Sequence, residues 1–109
     1  MTLRISLRDG ENILGREATD GVRLDSATVS RRHARITVTR DGALVDDLGS
    51  KNGTFLRGTR LTALTLLSDG DELRVGSIVL RFRIISGSST ATWNGVKGHG
   101  KRLRRSVLE

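Results

Sequence analysis

Short runs in which apolar and polar residues alternate, each closed by a glycine turn, dominate this chain. Leu3, Ile5 and Leu7 alternate with Thr2, Arg4 and Ser6, and Ala34, Ile36 and Val38 alternate with Arg35, Thr37 and Thr39. Ile78, Leu80, Phe82 and Ile84 share one face of a final long run. Successive side chains of a strand point to opposite faces, so a period of two buries one face and wets the other. Asp9-Gly10, Asp41-Gly42, Arg57-Gly58 and Asp69-Gly70 supply the turn chemistry between runs. Asp9-Gly10 is expected to close a hairpin into Asn12–Gly15, and Asp41-Gly42 one into Ala43–Leu48. Thr54–Leu56, Arg60–Leu64 and Glu72–Val75 complete the set of short strands. No segment carries a sustained helical stripe, although Leu61–Leu67 fits one turn of helix between Gly58 and Gly70. Many short antiparallel strands with regular turns mean a β-sandwich or barrel.

The rest of the composition narrows the function. A chain of 109 residues is one domain with a single core. Phe55, Phe82 and Trp93 are the only aromatics, so the core is aliphatic and there are no rings for stacking nucleic-acid bases. Cysteine is absent, which removes disulfides and thiolate chemistry. Met1–Leu7 carries Arg4 and lacks the apolar core of a secretory leader, and no apolar run is long enough to cross a bilayer. The expectation is a soluble, cytoplasmic protein with no membrane partner.

The net charge of +7 is unevenly placed. From Ser86 onward, Lys97, Lys101, Arg102, Arg104 and Arg105 face only Glu109. That segment is rich in Gly and Ser and lacks periodicity, so it reads as a solvated tail or linker. The domain boundary is expected near Ser86, giving a β-domain over 1–85 and a basic tail over 86–109. A basic tail of this kind can also hold a phosphate backbone or an acidic partner without sequence preference, with the β-domain as scaffold. Thr90 and Thr92 within it are candidate acceptors for a kinase.

Three segments carry polar groups suited to a phosphate and to the chain that bears it. Arginine presents a planar fork that matches two phosphate oxygens, and Arg16 follows Gly15 at a strand end where it can project from a loop base. Ser30 offers a hydroxyl and a backbone N–H, and Arg31 adds a second cation. Asn52, with both donor and acceptor atoms, suits a peptide main chain, and Gly53 permits a positive φ that holds it in place. His33 lies on the opposite face to Ala34 and so need not enter the core; it reads as scaffold. Asp46-Asp47 and Asp69/Asp71/Glu72 are the only carboxylate clusters. Adjacent strand residues point apart, and Asp69 and Asp71 flank an ordinary turn glycine, so neither is expected to hold a metal. No nucleophile–base pair, cofactor site or P-loop spacing is present, so the chain is not expected to be an enzyme.

The order Gly15-Arg16, Ser30-Arg31-Arg32-His33, Ser50-Lys51-Asn52-Gly53-Thr54, then Asp69-Gly70-Asp71-Glu72-Leu73 with Gly76, resembles a forkhead-associated (FHA) domain. The similarity runs from about Met1 to Ile85. It implies an antiparallel β-sandwich of about eleven short strands that binds phosphothreonine peptides through the loops at one end. By the same resemblance Arg16 and Ser30 contact the phosphate, with Arg31 or Lys51 assisting, and Asn52 bonds the peptide main chain. Gly15, His33 and Gly53 support the loops, while Thr28, Arg31 and the loop around Arg57 are candidates for reading residues beside the phosphothreonine. Arg32 receives no role. The implied partner is a threonine-phosphorylated protein, and hence a Ser/Thr kinase upstream; neither metal nor cofactor is implied.

Overall fold

The structure, a computed structural model, describes residues 4–88 and 102–109. Among these there is no helix. The strands are β1 (Ile5–Ser6), β2 (Gly10–Gly15), β3 (Val22–Arg23), β4 (Ala34–Thr39), β5 (Gly42–Asp47), β6 (Thr54–Leu56), β7 (Thr59–Arg60), β8 (Thr65–Leu67), β9 (Glu72–Val75), β10 (Ile78–Ser88) and β11 (Arg102–Leu108). They form a sandwich of two sheets, one ordered β1-β11-β10-β9-β6-β7 and the other β3-β2-β4-β5-β8. All ladders are antiparallel except β2 with β3, where Leu14 lies opposite Val22.

The alternation read from the sequence becomes the core. Leu73 and Val75 of β9 and Leu80 and Phe82 of β10 point inward from one sheet. Leu14, Ala34, Ile36, Ala43 and Val45 meet them from the other. Among the described residues, Phe82 is the one aromatic ring in this aliphatic core. The Arg57-Gly58 turn has positive φ at both residues, 49° and 83°, the backbone of the tight hairpin that joins β6 to β7.

Several expectations are corrected. Asp9-Gly10 does not close a hairpin: β1 pairs with β11, whereas β2 pairs with β4, so this turn carries the chain from one sheet to the other. The buried side chain of Asn12 fixes the crossing. Its Oδ1 accepts the Arg8 N–H at 2.9 Å, and its Nδ2 donates to the carbonyls of Arg8, Gly10 and Ile36. The Leu61–Leu67 segment is not a helical turn; Leu67 enters the core from β8 while Leu66, beside Leu44 of β5, faces solvent.

The largest correction concerns the end of the chain. The boundary expected near Ser86 places Arg102–Leu108 in a solvated tail, yet these residues form β11, paired with β10 from Phe82↔Leu108 to Ser88↔Arg102 and with β1 at Ile5↔Leu108. Leu108 is fully buried in the core, and the Glu109 and Arg81 main chains exchange hydrogen bonds of 2.9 Å. Without β11 the core would open beside Phe82, and β1 would lose its only strand neighbour among the described residues. The basic run at Arg102, Arg104 and Arg105 is therefore on a strand. Thr90 and Thr92 lie outside the described residues, as do Met1–Leu3.

Leu108→Ala is expected to lower the unfolding free energy by about 2–5 kcal/mol, the usual cost of emptying a buried leucine site. A chain ending at Ile85 is expected to lose more. Urea denaturation of both against the full chain provides the check, and an unchanged midpoint for the shortened chain would mean that β11 is dispensable.

Candidate functional site

One end of the sandwich gathers the loop after β2, the loop before β4, the β5–β6 loop and the β9–β10 turn. The first two are laced by main chain: Arg16 N–H donates to the Ser30 carbonyl at 3.0 Å and Glu17 N–H to the Arg31 carbonyl at 3.3 Å. This approach is why Gly15 has no side chain. A Cβ there would sit 2.0 Å from the Arg31 carbonyl oxygen, a backbone clash that no rotamer relieves.

His33 ties the loop before β4 to the β5–β6 loop. It is fully buried, where the expectation was only that it need not enter the core. Its Nδ1 accepts the Ser30 N–H at 2.9 Å, so the ring proton is on Nε2, which donates to the Gly53 carbonyl at 2.8 Å. The neutral Nε2–H tautomer satisfies both bonds at once. Gly53 has φ +85°, the positive value expected for it, and its carbonyl also accepts the Gly76 N–H at 3.3 Å. Gly76 in turn packs so tightly on Thr28 that a Cβ would lie 2.5 Å from the Thr28 carbonyl oxygen.

The β5–β6 loop is organised by Asp47, which the sequence singles out only as half of the Asp46-Asp47 carboxylate pair. Asp47 Oδ2 accepts the N–H groups of Gly49 and Ser50, both at 2.9 Å. Its Oδ1 accepts the hydroxyls of Ser50 at 2.5 Å and Thr54 at 2.7 Å. Burial alone would raise the Asp47 pKa, but the Ser50 and Thr54 hydroxyls and the Ser50 and Gly49 N–H groups outweigh it and hold the carboxyl below its ordinary 3.8. An Asp three residues before a Ser is the local signal that would have found this turn.

The groups left over define what the site can bind. Arg16 is half-buried, and its Nε donates to the Val29 carbonyl at 3.0 Å; that anchor orients the fork while neither terminal nitrogen has a partner among the described residues. Ser30 differs from expectation in one respect: its backbone N–H is already given to His33. Its Oγ accepts the Lys51 N–H at 3.1 Å, which leaves the hydroxyl proton free to donate. The Arg31 N–H is a further donor without a partner among the described residues, whereas the Arg31 side chain is exposed and leans toward Glu17 at 3.5 Å. The Lys51 side chain is exposed. Asn52 donates from Nδ2 to the Thr28 carbonyl at 2.8 Å, so its Oδ1 can accept from an incoming main chain. The Arg16 terminal nitrogens, the Ser30 hydroxyl proton, the Arg31 N–H and Asn52 Oδ1 thus keep hydrogen-bonding capacity on neighbouring loops, with Lys51 exposed beside Asn52.

Two candidate residues stand differently. The Thr28 hydroxyl is engaged with those of Ser26 at 2.9 Å and Ser77 at 2.8 Å and accepts the Ser77 N–H, so it holds the loops together. Arg57 is not brought to this end. It follows β6, whose first residue Thr54 adjoins Gly53, so it lies on the order of 13 Å along the strand. There its Nη1 grips both oxygens of Asp71 at 2.8 Å. Asp46 and Asp69 are also committed: Asp46 pairs with Arg35 at 2.7 Å, and Asp69 accepts from Ile84 N–H and Arg83, which hold it below its ordinary value. Among the described residues no cluster of metal-ligating side chains exists.

Residues 12–76 match the family model described as FHA domain. The chain is 35% identical over 79 residues to the transcriptional regulatory protein EmbR of Mycobacterium tuberculosis, covering 72% of this chain and 20% of EmbR. The structure of EmbR in complex with a low-affinity phosphopeptide superposes with a TM-score of 0.67 at 34% identity, over 71% of this chain and 20% of that one. A structure described as an analysis of phosphothreonine-dependent FHA domain interactions superposes with a TM-score of 0.64 at 34% identity, over 70% of this chain and 88% of that one. The chain thus spans about a fifth of EmbR.

Replacing His33 with leucine leaves the Ser30 N–H unpaired and removes one of two donors from the Gly53 carbonyl. The expected cost is about 2–4 kcal/mol in urea denaturation, with faster amide exchange at Ser30. Asp47 supplies a pH signature. Because its folded pKa is depressed, its contribution is complete above the unfolded value of 3.8 and is lost as pH falls from there toward the folded value. Asp47→Asn is therefore expected to be less stable at neutral pH and to lose less between pH 5 and the acid limit, which paired denaturation series at stepped pH will test.

Proposed function

Because this chain belongs to the forkhead-associated domain family, we propose that it is a module that binds phosphothreonine peptides and performs no chemistry of its own. The observation that carries this reading is the state of Arg16 and Ser30. The arginine is anchored by Nε with both terminal nitrogens open, and beside it a serine oxygen already holds the Lys51 N–H, so its proton is free. A phosphate monoester brings about −1.5 to −2 charges and three acceptor oxygens. It satisfies the Arg16 fork, the Ser30 hydroxyl and the Arg31 N–H together, while unmodified threonine offers nothing to pay for desolvating them. Lys51 adds long-range attraction, and Asn52 Oδ1 takes a main-chain N–H of the peptide, which orients it.

The partner on this reading is a threonine-phosphorylated protein, and its supply depends on a Ser/Thr kinase. The role is regulatory protein–protein interaction in the cytoplasm, with the domain closed by β11 rather than ending near Ser86. Gly15, His33 and Gly53 act only by holding the loops. Thr28 serves mainly as the carbonyl that positions Asn52. The commitment of Asp46, Asp47, Asp69 and Asp71 to loop or ion-pair duty favours binding without catalysis.

Arg16→Ala is expected to weaken binding of a phosphothreonine peptide by about 100-fold or more, from the loss of charge-assisted bonds, while leaving the urea midpoint nearly unchanged. Calorimetric titration of both proteins with one peptide gives the test. Equal affinity for the two would remove Arg16 from the site.

A further inference from the structure

Each sheet of the sandwich ends in two edge strands, and three of these four edges carry charge. β1 is flanked by Arg4 and Arg8, β3 contains Arg23 and β7 contains Arg60. Charge on an edge opposes pairing with a further strand, the usual protection against edge-to-edge association. β8 lacks it. The run Leu61–Ser68, from Arg60 to Asp69, holds no charged residue in a chain of which 28% is charged. Leu64 and Leu66 are 56% and 59% exposed there. Among the described residues β8 is bonded to β5 alone, at Ala43↔Leu67, Leu44↔Leu66 and Val45↔Thr65. Its other side is not closed by β7, the last strand of the second sheet. A hollow of about 410 Å³ opens between them, lined by Thr59 and Arg60 of β7 and by Leu61, Thr62 and Thr65.

We infer that β8 is a pairing edge for a second copy of this chain, giving a two-fold dimer through antiparallel β8–β8 contact. The strand is complementary to itself. A two-fold axis at Thr65, along the sheet normal, sets Thr65 opposite Thr65 of the partner subunit and Leu64 opposite Leu66 of the partner subunit. Threonine and apolar pairs are favourable across an antiparallel ladder, and no like charges meet. Leu64 stands two residues before Leu66, so in an extended continuation of β8 the two share the outer face. There the leucines of both copies cover one another beside Leu44, which already neighbours Leu66. The same operation on β3 or β7 sets Arg23 or Arg60 near its own copy. A charged peptide, by contrast, finds no charge to meet on this edge. The paired segment, Ala63–Leu67, falls short of the roughly 20 residues a side of a standard interface, so the dimer is weak, with a dissociation constant on the order of 100 μM. The axis also reverses β8, so the loop ends of the two copies point away from each other. Arg16, Ser30 and Asn52 lie outside the paired segment. On the phosphopeptide reading the dimer therefore joins two partner proteins instead of gripping one peptide twice.

The test is sedimentation velocity of the full chain from about 10 μM to about 1 mM, a range that brackets the expected dissociation constant. The natural sequence is expected to pass from monomer to dimer across it and to stop there, because a two-fold contact closes. Leu66→Lys sets a lysine near its own copy at an exposed position. It is expected to raise the dissociation constant about tenfold or more with an unchanged urea midpoint. Thr65→Cys reads the register, since the chain has no cysteine of its own. Residues opposite one another on antiparallel strands lie about 4.5–5.5 Å apart at Cα, within disulfide reach. Under mild oxidation Thr65→Cys is expected to give a cross-linked dimer faster than Thr19→Cys, an exposed position away from β8. A natural chain that stays monomeric to about 1 mM overturns the inference, as does growth beyond a dimer. A dimer that survives Leu66→Lys, or equal cross-linking of the two cysteine variants, overturns pairing at β8. None of these measurements involves a phosphopeptide, so the binding reading stands or falls separately.

Discussion

The imidazole of His33 is the bond on which the binding end depends. A neutral ring offers one donor and one acceptor at fixed separation, and here both are spent on main chain: Ser30 N–H on one side, Gly53 carbonyl on the other. Strands bring loops to the same end of a sandwich but do not set their spacing to within a hydrogen bond. His33 does so because it is buried, so neither of its bonds competes with water. Its own main chain is locked as well, with N–H to the Leu14 carbonyl and carbonyl to Leu48 N–H at 2.8 and 2.9 Å. The ring thus refers both loops to β2 and to the end of β5.

A division of labour follows from that brace. Residues whose polar groups are exhausted inside the protein, among them Asp47, Ser50, Thr28 and Ser77, give the loops their shape. Residues with capacity left over face outward: the terminal nitrogens of Arg16, the hydroxyl proton of Ser30, the N–H of Arg31 and the Oδ1 of Asn52. Each of the outward groups is itself held by one internal bond, so little freedom is lost when a ligand arrives. The loop end is preorganised in this way, as the proposed phosphate site requires, and its glycines are part of the construction. Gly15 lets two backbones touch, and Gly53 takes a φ that a side chain resists.

Much of this was legible in the sequence where the chemistry is local. The strand alternation of Ala34–Thr39, Glu72–Val75 and Ile78–Ile84 and the turns at Asp41-Gly42 and Arg57-Gly58 stand as the period and the turn residues imply. The pairing of strands into sheets was not legible. Asp9-Gly10 has hairpin chemistry but serves as a crossing, because partner choice for β1 and β2 is settled by β11 and β4, far away in sequence. β11 itself was hidden by composition: Arg102-Leu103-Arg104-Arg105 breaks the alternation, and only Val107 and Leu108 betray a buried end. For the proposed site, the candidacy of Arg16, Ser30 and Asn52 follows from side-chain chemistry visible in the sequence. The spent N–H of Ser30 and the Thr28–Ser77 hydroxyl contact, 49 residues apart in sequence, required the fold. Arg57 shows the converse, a residue with suitable chemistry at the wrong end of its strand.

The central claim is that ligand capacity at this end is confined to groups left open by the His33 and Asp47 scaffolding. Its most direct test is the map of backbone amide shifts during titration with a phosphothreonine peptide, set beside the same peptide without phosphate. The account predicts that the phosphorylated peptide moves the amides of Arg31, Lys51 and Asn52 and the side-chain signals of Arg16 and Asn52. The Ser30 amide should keep its slow exchange, because its proton stays on His33, and the unphosphorylated peptide should move none of these. Equal perturbation by both peptides, or phosphate-dependent shifts centred on the opposite end near Arg57 and Asp71, would contradict it.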